Sequence, residues 1–247
     1  KEREIVVPGE NLITGMDALP GSGTYREGDS IYAGRLGLAS IDGRTIKLIP
    51  LSGRYAPERD DVIIGKIFNI GLYGWNIETN SAYPAVLGLK EASTDFIPKG
   101  ADLTRYYNIG DYIVCAIINI TSQMLVDVTM RGQGLQKLQG GRVITVSPYK
   151  VPRIIGKQGS MVYLIKQATG CQIIVGQNGM VWVKGEPAME LVAEQAMRMI
   201  EEQSHISGLT EIVSAFLESS TGKKLAARAP VNPVPRQIQG QGEHNEL

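Results

Sequence analysis

The most legible chemistry in the chain is carried by Gly156-Lys157-Gln158-Gly159. Apolar runs flank this loop on both sides. Val151, Ile154 and Ile155 lead into it, and Met161, Val162, Leu164, Ile165 and Ala168 follow at helical spacing. Thr169-Gly170 supplies a glycine stop, after which 171–175 reads as a strand. Without a Cβ, the loop glycines let the backbone lie against a phosphodiester chain. The helix behind them offers unpaired N–H groups to phosphate. Lys157 adds a mobile cation at the tip. The chemistry is non-covalent grip on a polyanion, and single-stranded RNA is its natural ligand.

The elements that must hold this loop are equally readable. A strand at 142–146 precedes it. The turn Gly176-Gln177-Asn178-Gly179, a strand at 180–184 and a helix over about 186–203 follow. That helix places Met189, Val192, Ala193, Ala196, Met199 and Ile200 on one face. Two short helices meeting at Gly-x-x-Gly, with a strand and a helix after the core, resemble a KH module of type I. A bare Gly-x-x-Gly string also describes a plain helix–turn; the flanking elements and the charge pattern favour RNA contact.

Formal net charge is zero and the pI about 6.9, which alone says nothing for nucleic acid. The distribution says more. No acidic residue occurs between Asp127 and Glu186, whereas Arg131, Lys137, Arg142, Lys150, Arg153, Lys157, Lys166 and Lys184 fall in that interval. Acids return at Glu186, Glu190, Glu194, Glu201 and Glu202. The segregation predicts one positive and one acidic side in this part of the chain.

No catalytic residues, metal ligands or cofactors are expected. The two histidines, His205 and His244, sit near a helix end and in a tail, and there is no P-loop, zinc spacing or acid cluster near the basic interval. Asp60-Asp61 and Glu201-Glu202 read as solvated charges. Cys115 and Cys171 lie in apolar runs without a C-x-x-C pair, which predicts buried reduced thiols and a cytoplasmic setting. No apolar run approaches a membrane span, and KEREIVVPGE does not read as a signal peptide.

Residues 1–59 are glycine-rich with short alternating runs at 5–7, 31–38 and 45–51, and carry eight charges of each sign. They predict a β-barrel or sandwich-like domain with a docking role. Residues 60–131 predict a second all-β unit, with strands at 62–70, 73–77, 85–89, 112–120 and 124–130, the number found in an OB barrel. Gly65-x-Ile-x-x-Ile-x-x-Tyr-Gly-Trp, followed by Ile109-Gly110-Asp111-x-Ile, resembles the S1 subtype. Trp75 and Tyr73 are its candidates for base stacking, and Lys66 and Arg105 for phosphate contact. The competing reading places Trp75 in the core. Residues 132–141 form a linker pinned by two leucines. The KH unit spans 142–220 with a short helix at 209–217, and the Pro/Gln/Gly-rich tail at 221–247 should be disordered in isolation. The fold class expected is thus multidomain: two all-β units followed by an α+β type I KH domain.

A β unit opening with Val-Pro-Gly-Glu at 7–10, an S1 barrel with Trp75-x-Ile-Glu78-x-Asn80, a linker and one KH unit together resemble the RNA-binding cap subunit of the archaeal exosome. The likeness spans about residues 3–217. It implies a non-catalytic subunit present in three copies on a ring of ribonuclease-PH-like proteins, docked through its amino-terminal domain. Such a subunit binds single-stranded RNA and directs it to a central channel for 3′-to-5′ degradation. With Gly156, Lys157, Gln158 and Gly159, the basic residues Lys150, Arg153 and Lys166 of the acid-free interval are the expected RNA contacts. The S1 part lacks the paired surface aromatics of strong RNA-binding versions, which suits a pore-shaping role. The alternatives are a free-standing S1/KH regulator of translation or transcription and a purely structural scaffold.

Overall fold

The computed structural model describes residues 4–98, 100–204, 206 and 208–222. His205, His244 and the tail beyond Gly222 lie outside the described residues. Packing divides the chain into two units. One comprises Lys1–Val151 with Val175–Trp182; the other comprises Pro152–Ile174 and the chain from Val183 onward.

In the first unit, short strands β1 (Ile5–Val6), β2 (Asn11–Thr14), β3 (Leu19–Pro20), β4 (Thr24–Glu27), β5 (Ser30–Ala33), β6 (Gly37–Asp42) and β7 (Thr45–Pro50) form two sheets. Their orders are β1-β6-β7-β3 and β2-β5-β4. The run at 31–38, expected as one strand, is two. At Gly34 the backbone N–H donates to Gly23 O at 2.8 Å, and the chain crosses from one sheet to the other. The core beneath is small, built on Val6, Ala33, Ala39 and Leu48.

Next come β8 (Val62–Gly71), β9 (Gly74–Glu78), β10 (Ala85–Gly88), the single-turn helix α1 (Leu89–Ala92), β11 (Tyr112–Ile120), β12 (Val126–Thr129) and β13 (Lys137–Leu138). Antiparallel pairs link β10 to β9, β9 to β8, β8 to β11 and β11 to β12, and a parallel pair of β10 with β12 closes the barrel. Closure removes the free strand edges that invite aggregation. Ile63, Ile67, Trp75, Ile77, Ile113 and Val128 fill its interior. Part of the expected linker is structured: Lys137 and Leu138 pair with Ile113 and Tyr112 as a further strand on β11.

The turn after residue 175 also belongs to this unit. Gln177 exchanges two hydrogen bonds with the Val62 backbone, its N–H to Val62 O at 2.9 Å and its Oε1 from Val62 N at 2.6 Å. Asn178 is fully buried. Its Nδ2 donates to Ile64 O at 2.7 Å and Thr79 O at 2.8 Å, and its Oδ1 accepts from Ile64 N at 3.3 Å. Asn80 Nδ2 donates to the Asn178 carbonyl at 2.9 Å.

The remaining elements are β14 (Arg142–Thr145), α2 (Val151–Ile155), α3 (Ser160–Thr169), β15 (Gln172–Val175), β16 (Met180–Lys184), α4 (Pro187–Glu202) and α5 (Leu209–Thr221). The three strands are ordered β14-β16-β15, and α3, α4 and α5 pack on one another. On α4 the buried stripe is Ala193, Ala196, Met197 and Ile200, an i, i+3, i+4, i+7 series that takes Met197 inward and leaves Met199 half-buried. Pro187 starts α4 where a missing N–H costs nothing. Among the described residues no helix is long and apolar enough to cross a membrane.

Candidate nucleic-acid interface

The loop between α2 and α3 depends on its glycines. Gly156 has φ 74°, Gln158 φ 54° and Gly159 φ 79°, so three of four residues are left-handed. A Cβ at Gly156 would stand 2.7 Å from both the backbone N and the Cβ of Met161, which no side-chain shift relieves. The loop is closed by Gly159 N–H to Gly156 O at 3.2 Å, and no side chain caps α3. The backbone therefore bends sharply at the start of a helix whose first N–H groups have no side-chain acceptor, a feature that favours an anion there. Gly170, with φ 71°, ends α3 through its N–H to Lys166 O at 2.9 Å, as the glycine stop predicted.

Lys157 and Gln158 are exposed at the loop tip, and Arg153 is exposed on α2. Lys166 is exposed in the last turn of α3, and partial desolvation of its ammonium lowers its pKa. Lys150 is half-buried at the end of the 3-10 turn Pro148–Lys150 that leads into α2. Phosphate-contact roles for Lys157 and Arg153 suit their exposure.

The barrel candidates divide. Tyr73, in the β8–β9 turn, is 71% exposed. Lys66 Nζ stands 5.8 Å from the centre of the Tyr112 ring on the neighbouring strand, and Arg105 pairs with Asp102 at 3.6 Å on the surface. Arg105 is therefore already engaged, though such an exposed pair is worth little. The stacking role considered for Trp75 fails. Its ring is fully buried, its indole N–H donates to Tyr107 O at 3.0 Å, and the Tyr107 and Tyr106 rings meet it edge-on at 5.2 and 6.5 Å. No face is left for a base. Lys66 and Tyr73 lie roughly 17 Å or more apart along β8 and its turn, so they form no single cluster.

Comparison with known proteins follows the same order of parts. A model of the exosome RNA binding protein RRP4 N-terminal domain matches residues 3–52, and a KH domain model matches residues 141–189. The exosome complex component Rrp4 of Methanothermus fervidus is 41% identical, over 88% of this chain and 96% of that protein. That of Pyrococcus abyssi is 38% identical, over 99% of this chain and 94% of its own. A crystal structure proposed to be of an exosome complex RNA-binding protein superposes with a TM-score of 0.62 at 32% identity, covering 68% of this chain and 97% of that one. The chain belongs to the Rrp4 family of exosome complex components.

Two surface residues of this Rrp4-family chain escaped the sequence reading. Phe68 sits at the bulge between Ile67 and Asn69, where the register of β8 against β9 shifts, and its side chain is turned outward. Phe96 is 87% exposed in the loop after α1, next to Ile97, which is inserted into the barrel core. Alternation with Ile63, Gly65 and Ile67 inward does put Phe68 outward beside Lys66; its apolar character made it read as one more core residue of the strand. Nothing in the local sequence around Phe96 signals its exposure.

Proposed function

We propose that this chain is a non-catalytic, cytoplasmic RNA-binding cap of the exosome, present in three copies on a ring of ribonuclease-PH-like subunits. It binds single-stranded RNA and directs it to the central channel for 3′-to-5′ degradation. The observation that carries the reading is the left-handed Gly156–Gly159 loop, with Lys157 at its tip and the uncapped start of α3 behind it. The names of the relatives support the complex. Docking through the amino-terminal sheets suits the exposure there of Ile5, Val7, Met16, Leu19, Ile41 and Ile49.

Two experiments test this. A fragment starting at residue 53 keeps the hydrogen bond from Tyr55 to Asp61 at 2.5 Å while removing the amino-terminal sheets. It should bind single-stranded RNA yet fail to co-purify with ring subunits, and normal assembly would refute the docking role. The purified full chain should also leave labelled single-stranded RNA intact, with or without magnesium and phosphate. Turnover proportional to protein through repeated purification would show that it is an enzyme after all.

A further inference from the structure

A cavity of about 250 Å3 opens within the first unit, away from the Gly156–Gly159 loop in sequence. Its walls include Asp111 and Tyr112 at the start of β11, Leu138 of β13, the Gly140 backbone, Val143 of β14 and Trp182 of β16. Pockets for drug-sized ligands run to about 300–1,000 Å3, so this one suits a single planar ring system. Two aromatic and two aliphatic side chains supply apolar walls.

The polar groups around it include two acceptors, the Gly140 carbonyl and the Asp111 carboxylate. Gly140 O already takes the Trp182 indole N–H at 2.7 Å. Asp111 Oδ2 accepts the Asn108 N–H at 2.6 Å and pairs with Lys137 Nζ at 2.5 Å, which leaves Oδ1 without a protein partner among the described residues. Lys137 offsets the carboxylate charge, so a neutral ligand can approach it, whereas a phosphate entering the cavity would meet Asp111. Lys66, paired across the strands with Tyr112, supplies a cation beside the site. A neutral ring with a donor on its edge and a phosphate trailing outside matches this set.

We propose that the cavity takes one unstacked nucleobase of the bound RNA, whose exocyclic amine donates to Asp111 Oδ1 while its ring packs against Tyr112 and Trp182. Adenine, cytosine and guanine carry that amine; uracil offers only an N3–H flanked by two carbonyl oxygens, which the Asp111 carboxylate repels. The inference rests on the RNA-binding reading above and adds to it a second contact point with base discrimination.

The test uses the full chain and 12-nucleotide homopolymers of A, C and U in anisotropy titrations. Binding of A and C should exceed that of U by about fivefold or more. Val143→Phe, which fills the cavity, should abolish the preference while keeping a near-normal melting temperature and residual binding. Ultraviolet cross-linking of wild-type protein to the A or C oligomer, mapped by mass spectrometry, should mark Tyr112 or Trp182. This arm needs no variant and stands even if Val143→Phe misfolds. Equal affinities for all three oligomers, a preference that survives Val143→Phe, or cross-links that avoid both rings would overturn this inference alone. Binding of none of the oligomers would overturn the RNA-binding reading and this inference with it.

Discussion

Replacing Asn178 by alanine should lower the melting temperature of the barrel unit by roughly 6–12 °C. The side chain makes three hydrogen bonds to the barrel backbone, to Ile64 O, Thr79 O and from Ile64 N, all at a fully buried site. Each buried group left without a partner costs about 1–3 kcal/mol, so the loss is on the order of 3 kcal/mol or more. In a unit of this size each kcal/mol moves the midpoint by about 2–4 °C. Asn178→Asp should be worse, because it points a carboxylate at the Ile64 and Thr79 carbonyls and removes both donors. Asn80→Ala, which loses one bond to the Asn178 carbonyl, should cost only about 1 kcal/mol. Calorimetry of the three variants checks the order. An Asn178→Ala protein that melts with the wild type would show that water restores the lost contacts.

That residue also marks the limit of what the sequence disclosed. Gly176-Gln177-Asn178-Gly179 reads as an ordinary turn between two strands, since Asn beside Gly is common turn chemistry. The bonds that matter reach from Asn178 to Ile64 and Thr79, about a hundred positions away, and no local pattern contains them. The helices around Gly156–Gly159 were legible because their signals are local: apolar residues at helical spacing, and glycines where the backbone turns left-handed at 156, 159 and 170. The five barrel strands were legible from alternation. Their closure by the parallel β10–β12 pair was not.

Trp75 shows why the site was harder to read than the fold. Alternation groups Tyr73, Trp75 and Ile77 on one side, but it does not say which side faces the core. Trp75 and Ile77 lie in β9 and point inward, whereas Tyr73 belongs to the preceding turn and escapes the pleat. The amino-terminal strands failed for another reason. β2, β3 and β4 are two to four residues long and mostly exposed or half-buried, so they carry no hydrophobic period to detect.

Changing Lys157 and Gln158 together to Asp should weaken binding of single-stranded RNA by roughly tenfold or more at moderate salt. The swap takes the loop from +1 to −2 and spares both glycines. Both side chains are exposed, and Gln158 already holds φ 54° and ψ 31°. Asp is among the few residues that tolerate this left-handed conformation, so the fold should survive with a near-normal melting temperature. Two new carboxylates would face the phosphates in a surface dielectric, where each close contact costs about 1–4 kcal/mol. Loss of a lysine–phosphate contact should also flatten the dependence of log K on log salt by about one unit. Anisotropy titrations of wild type, the double Asp variant and a double Ala variant at two salt concentrations separate repulsion from lost attraction, with the Ala protein expected between the other two. If the Asp variant folds normally and binds as tightly as wild type, the loop is not a phosphate clamp, and the RNA must be held elsewhere on the chain.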